Sequence, residues 1–170
     1  MSRRFWIAAL TLSAVFAAES LLAQEMSPRS WGVRGGFRLG ERDFDQLVLG
    51  AQADLGDVAT NLRFAPNIQL GIGSDVTILS LDPELQYVFR DNPMSEDTNF
   101  YAGGGLGVHI LNFEANDEDR THDSDTQLKI NVSAGIEKEI SPTSAFFGEI
   151  RVSFIDGTWV DFLGGLNLLR

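Results

Sequence analysis

Eight stretches of this chain alternate apolar and polar residues with a period of two, and in each the apolar face is free of charge. In the first, Trp31, Val33, Gly35, Phe37 and Leu39 fall on one side, and Gly32, Arg34, Gly36 and Arg38 on the other. Successive side chains of a strand point to opposite faces, so the pattern specifies strands with one apolar and one polar surface. The remaining apolar faces run Leu47 to Leu55, Leu62 to Ile72, Leu79 to Phe89, Phe100 to Ile110, Leu128 to Ile136, Phe146 to Phe154 and Val160 to Leu168, taking every second residue. Most of these segments have about the nine to eleven residues that a tilted strand needs to cross a bilayer. Beyond residue 23 no run is long and apolar enough to cross as a helix.

The opposite faces hold Arg34, Arg38, Arg63, Lys129 and Arg151 against Asp54, Asp82, Glu84, Glu137, Glu149 and Asp161. Near-balance suits an enclosed lumen, because a buried charge without a partner is strongly destabilising. Arg34, Arg63, Lys129 and Arg151 are therefore expected to pair with Glu84, Glu137, Glu149 and other acids inside. The fold class that follows is all-β: an eight-stranded antiparallel up-and-down transmembrane barrel over residues 30–170. A soluble lipocalin-like barrel, which carries apolar ligands, competes, since the same alternation turned inside out gives an apolar cavity. Glycine favours the first reading. Gly32, Gly36, Gly50, Gly71, Gly103, Gly105, Gly107, Gly135 and Gly165 all lie on the polar face. A solvated strand surface gains nothing from glycine, whereas a crowded small-barrel interior needs small residues beside long ones.

The N-terminus adds an export signal. Ser2-Arg3-Arg4 precedes the nearly apolar run Phe5 to Ala18, and Ala23 suits signal peptidase, so residues 1–23 read as a cleaved signal peptide and 24–29 as a short extension. Cleavage removes two basic residues and one acidic one, taking the formal charge from −11 to −12. Such an acidic chain does not suit nucleic acid. The absence of cysteine rules out a disulfide framework, a thiolate metal site and a lipidated cysteine.

Alternation also sorts the connections. Residues 40–45, 73–75, 114–125 and 156–157 lie at one end, and 56–60, 91–99 and 141–144 at the other. With periplasmic termini the first set is extracellular and includes the longest, an acidic loop with Asp117, Glu118, Asp119, Asp123 and Asp125. Its acids repel one another and have only Arg120 as a local counter-charge. Pro66 and Pro83 each remove a ladder donor and lead us to expect β-bulges. An aromatic girdle would rest on Trp31, Trp159 and several phenylalanines.

Two segments carry a family resemblance. Leu79-Ser80-Leu81-Asp82-Pro83-Glu84-Leu85-Gln86-Tyr87-Val88-Phe89 resembles the "PEL-Y" strand of small porin-family outer-membrane barrels, and Phe100 to Val108 is similar to their next strand. The resemblance to this OmpA/OmpX-like group covers most of residues 30–170. It implies a bacterial outer-membrane address, contact with membrane lipid and lipopolysaccharide, and handling by the outer-membrane assembly machinery. Against the group's pattern, the chain ends Asn167-Leu168-Leu169-Arg170 without a terminal aromatic residue.

Signals of chemistry are sparse. Gly103-Gly104-Gly105-Leu106-Gly107 lacks the Lys-Ser/Thr and the helix of a phosphate loop. His122-Asp123-Ser124 with Glu137 echoes the His-x-Ser and later Glu of outer-membrane lipid A deacylases, an arrangement that needs base, nucleophile and carboxylate together. The acidic loop lacks the glycine and final glutamate of an EF-hand. His109 reads as a hydrogen-bonded lumen residue, since no second histidine is positioned to join it. The reading is a barrel with a filled lumen and a structural or surface-interaction role, with no cofactor, metal or catalytic residue assigned.

Overall fold

The computed structural model describes residues 28–40, 45–73, 76–90, 97–113, 124–155 and 157–169. The expected signal peptide lies outside them. Eleven strand segments form one antiparallel sheet: β1 (Ser30–Gly40), β2 (Gln46–Asp54), β3 (Asp57–Ala59), β4 (Leu62–Phe64), β5 (Asn67–Ile72), β6 (Val76–Asp82), β7 (Glu84–Phe89), β8 (Thr98–Phe113), β9 (Ser124–Ser141), β10 (Ser144–Ile155) and β11 (Gly157–Leu169). β2 with β3, β4 with β5, and β6 with β7 are single strands briefly interrupted, so the segments make eight staves. β1 pairs with both β2 and β11, and β8 pairs with β9, which closes the sheet into a barrel. Closure leaves no open edge and satisfies the backbone groups of the wall among themselves.

Sequence alternation and facing agree on every stave. Trp31, Val33, Phe37, Leu49, Ile68, Leu85, Leu106, Ile130, Phe146, Ile150 and Phe162 point outward and are exposed, while Arg34, Arg38, Gln69, Glu84, Lys129, Glu149, Arg151 and Asp161 are buried inside. This is the reverse of a lipocalin-like cavity. β8 and β9, with 16 and 18 residues, exceed the expected strand lengths. β9 takes in Ser124 and Asp125, which pair with Asn112 and Leu111, so the acidic connection is shorter than expected. We call the end with connections 41–44, 74–75, 114–123 and 156 the loop end, and the other the turn end.

The prolines do not produce bulges. Phe64 pairs with Leu85, and Asn67 with Asp82, at one constant register, so Pro66 stands opposite Pro83. The Ala65 N–H donates to the Glu84 carbonyl at 2.8 Å, which makes the neighbouring Pro66/Pro83 pair a non-hydrogen-bonded one. At such a pair the N–H positions face away from the partner, so neither proline removes a bond between its own two staves. The register shifts instead between Asp57 and Ala59, next to a tight turn where Asn61 adopts φ 61°, and between Ser144 and Ala145 where β10 leaves its turn with β9.

Inward glycines let the wall curve. A Cβ on Gly36 would fall inside the Phe162 carbonyl, and one on Gly165 inside the Val33 carbonyl, whereas outward-facing Gly148 meets only an Ile136 methyl at 3.9 Å. Backbone oxygens fixed in the ladder cannot step aside. Gly36→Ala should therefore destabilise the detergent-folded barrel by about 1–3 kcal/mol, and Gly148→Ala should stay within about 0.5 kcal/mol of the parent. Urea unfolding midpoints measure both.

Candidate functional site

The lumen concentrates the charged chemistry of the described residues, arranged in three tiers along the barrel axis. Toward the loop end, Arg38 forms a two-pronged ion pair with Asp161, Nε to Oδ1 at 2.7 Å and Nη2 to Oδ2 at 2.9 Å. The Arg38 guanidinium also lies 5.5 Å from the Trp159 ring centre. Trp159 is thus inside and belongs to no outer girdle, contrary to the sequence expectation. Above it Val76, Ile78 and Leu111 form an apolar cap against which Trp159 packs.

The middle tier gathers three cations and three carboxylates, all with side chains at 0 % exposure. Arg151 is its hub, reaching Glu84 at 2.5 Å, Glu149 at 3.0 Å and Asp82 at 3.3 Å. Arg34 meets Glu149 at 2.5 Å, and Lys129 meets Asp82 at 2.9 Å. Neutral donors complete the carboxylates: the Tyr101 hydroxyl donates to Glu149 at 2.9 Å, Asn131 to Asp82 at 3.3 Å, and Ser133 to Glu84. The segment Asp82-Pro83-Glu84 supplies two of the acids, because residues two apart on a strand share a face. The most family-like motif of the sequence is therefore the acidic half of this cluster, with Leu85 and Tyr87 pointing outward between its lumen residues.

At the turn end Arg63 lies 3.3 Å from Glu137 and 3.5 Å from Asp54, and its guanidinium sits 5.1 Å from the Tyr101 ring centre. Glu137 also accepts a bond from Asn167 at 2.7 Å. A cavity of about 340 Å³ opens here, lined in part by Arg29, Asp54, Arg63, Arg90, Glu137 and Glu139. The single acid in excess of the lumen's cations thus belongs to the tier beside open solvent, where a charge is tolerated best.

All seven lumen residues singled out from sequence, Arg34, Arg63, Glu84, Lys129, Glu137, Glu149 and Arg151, point into the barrel. Sequence reasoning missed Tyr101, Phe147 and Trp159, whose rings flank Arg63, Arg34 and Arg38. Their signal was present: each occupies a polar-face position in the alternation. Of the acidic loop, Asp117, Glu118, Asp119 and Asp123 lie outside the described residues. Among the described residues no group of three or more His, Asp or Glu side chains is placed to hold a metal ion.

The hydrolase-like constellation does not assemble around Glu137. Ser124 begins β9, and Glu137 lies thirteen residues along the same strand, a separation of roughly 43 Å at about 3.3 Å per residue. His122 lies outside the described residues. His109 departs from expectation too: it is buried in the lumen, but neither ring nitrogen has a hydrogen-bond partner.

No family model and no curated protein matches this sequence. Solved structures do match in fold. Neisserial surface protein A aligns at TM-score 0.68 and 13% identity, over 84% of this chain and 96% of that one. The N-terminal β-barrel domain of Pseudomonas aeruginosa OprF aligns at 0.58 and 14%, covering 83% and 98%. The outer membrane enzyme PagL aligns at 0.52 and 11%, covering 83% and 99%. At such low identity these likenesses establish the fold, that of small eight-stranded outer-membrane barrels.

Proposed function

We propose that this chain is an outer-membrane β-barrel that does not conduct ions and has a structural or surface-interaction role, presenting its loop end to the exterior after export through the periplasm. One observation carries the reading: an uncharged apolar exterior surrounds a lumen whose ions are matched within the wall. Water is the wrong solvent for that exterior, and a bilayer is the right one. Lipid would contact the belt, lipopolysaccharide the loop end, and the outer-membrane assembly machinery would insert the chain. PagL is an enzyme on a similar fold, whereas in this chain the candidate pair Ser124 and Glu137 stand thirteen residues apart along β9.

Two measurements test the proposal. The chain without residues 1–23, refolded into detergent, should migrate faster on gels before boiling than after, and should fractionate with outer membranes in cells. A protein soluble without detergent that shows no such shift would overturn the membrane assignment. In planar bilayers it should give no steady conductance, because eight strands enclose only room for side chains. Large, persistent channels would contradict the filled lumen.

A further inference from the structure

Between the apolar cap and the ion cluster lies a layer of neutral polar residues with unused hydrogen-bonding capacity. On one wall Gln69, Ser80 and His109 are lateral neighbours in the sheet. On another, Asn131, Ser153 and Trp159 are lateral neighbours. The His109 and Trp159 rings, 5.9 Å apart between centres, join the two walls. Five of these residues are at most 2 % exposed: Gln69, Ser80, His109, Asn131 and Ser153. The Gln69 amide donates to Asn67 at 2.8 Å and the Asn131 amide to Asp82 at 3.3 Å, which leaves Gln69 Oε1 and Asn131 Oδ1 without donors. Ser80 Oγ, Ser153 Oγ and both His109 nitrogens likewise have no protein partner.

We propose that this layer is a binding site for a small cluster of water molecules, shut off from the loop end. The chemistry selects water over an ion. Nearby charges are already matched within the wall, Arg38 by Asp161, Lys129 by Asp82, Arg151 by Glu84 and Arg34 by Glu149, so no unbalanced charge remains to hold a further ion. The open groups are mixed in kind. Two hydroxyls and one imidazole N–H need acceptors, while two amide oxygens and the other imidazole nitrogen need donors. A molecule that both donates and accepts answers all of them, and buried water is the usual such molecule in polar interiors. Escape is blocked on one side by Val76, Ile78 and Leu111, and on the other by the interlocked ion cluster.

The test is nuclear magnetic resonance on the refolded barrel in micelles. The carbon-bound Hε1 and Hδ2 protons of His109 do not exchange, so cross-peaks from them to water report proximity. We expect such peaks, with the sign of long-lived water, and expect them to survive a soluble paramagnetic agent that quenches bulk water. The Ser80→Val, Ser153→Val double variant should lose them. If the parent protein shows no water peaks at His109 while its fold is intact, the layer is dry and the proposal fails whatever the variant does. Peaks that disappear with the paramagnetic agent would overturn the sealed site. Conductance and gel migration are independent of this result, so failure here is distinguishable from failure of the membrane reading.

Discussion

Replacing Arg151 with alanine should lower the unfolding free energy of the detergent-folded protein by about 3–5 kcal/mol. Its guanidinium touches Asp82, Glu84 and Glu149, all with buried side chains. Without it the middle tier keeps three carboxylates but only Arg34 and Lys129 as cations, and all five of these side chains are at 0 % exposure. Much of the loss comes from leaving that charge buried, since an intact buried pair is close to neutral against an apolar replacement. The same logic predicts partial recovery when a carboxylate is removed with the arginine, as in R151M/E84Q. Urea titrations of the parent, single and double variants measure both effects. An unchanged midpoint for Arg151→Ala would show that the cluster is not stabilised as its geometry requires.

Placing an arginine at Phe162 should cost about 2–4 kcal/mol in lipid vesicles, and the same residue at Thr158 only about 0–1 kcal/mol. Phe162 is exposed on the outer face in the middle of β11, between Phe37 and Ile150 in register, while Thr158 lies near its loop end. In a bilayer the penalty depends on depth, because the midplane offers no solvation to a guanidinium. On a soluble barrel both positions would meet water, and the two variants would behave alike. Equal stabilities in vesicles would therefore place this face outside the hydrocarbon.

The strands, the division of each into two faces, and the strand count were legible because they depend on a local quantity, the period of the side-chain pattern. Arg34 and Arg38, four residues apart with Gly36 midway between them, could only share a face, and repetition over eight segments required a closed sheet to pair them all. Inward glycines were legible for the same reason, as small residues on the charged face of a narrow barrel. The prolines show where local reasoning stops. Each lacks an N–H, but which neighbouring stave loses the ladder bond depends on which side its nitrogen faces, and this follows from the register between β5 and β6. The ring of Trp159 is a second case: a tryptophan in an apolar-rich strand suggests an interfacial anchor, whereas parity sends it inward onto His109 and Arg38.

Sequence by itself thus determined that the chain forms strands with one charged and one uncharged surface, since side chains alternate along a strand, and its glycines favoured the charged surface as the inner one. Only the tertiary structure decided which ions meet. Arg34 and Glu149 are 115 residues apart, and Arg38 and Asp161 are 123 apart. Those distances close because the last stave pairs with the first, and the stagger of the closed sheet sets the height of each side chain in the lumen. Period is a property of one strand, but height is a property of all eight together, and the pairing of charges follows height.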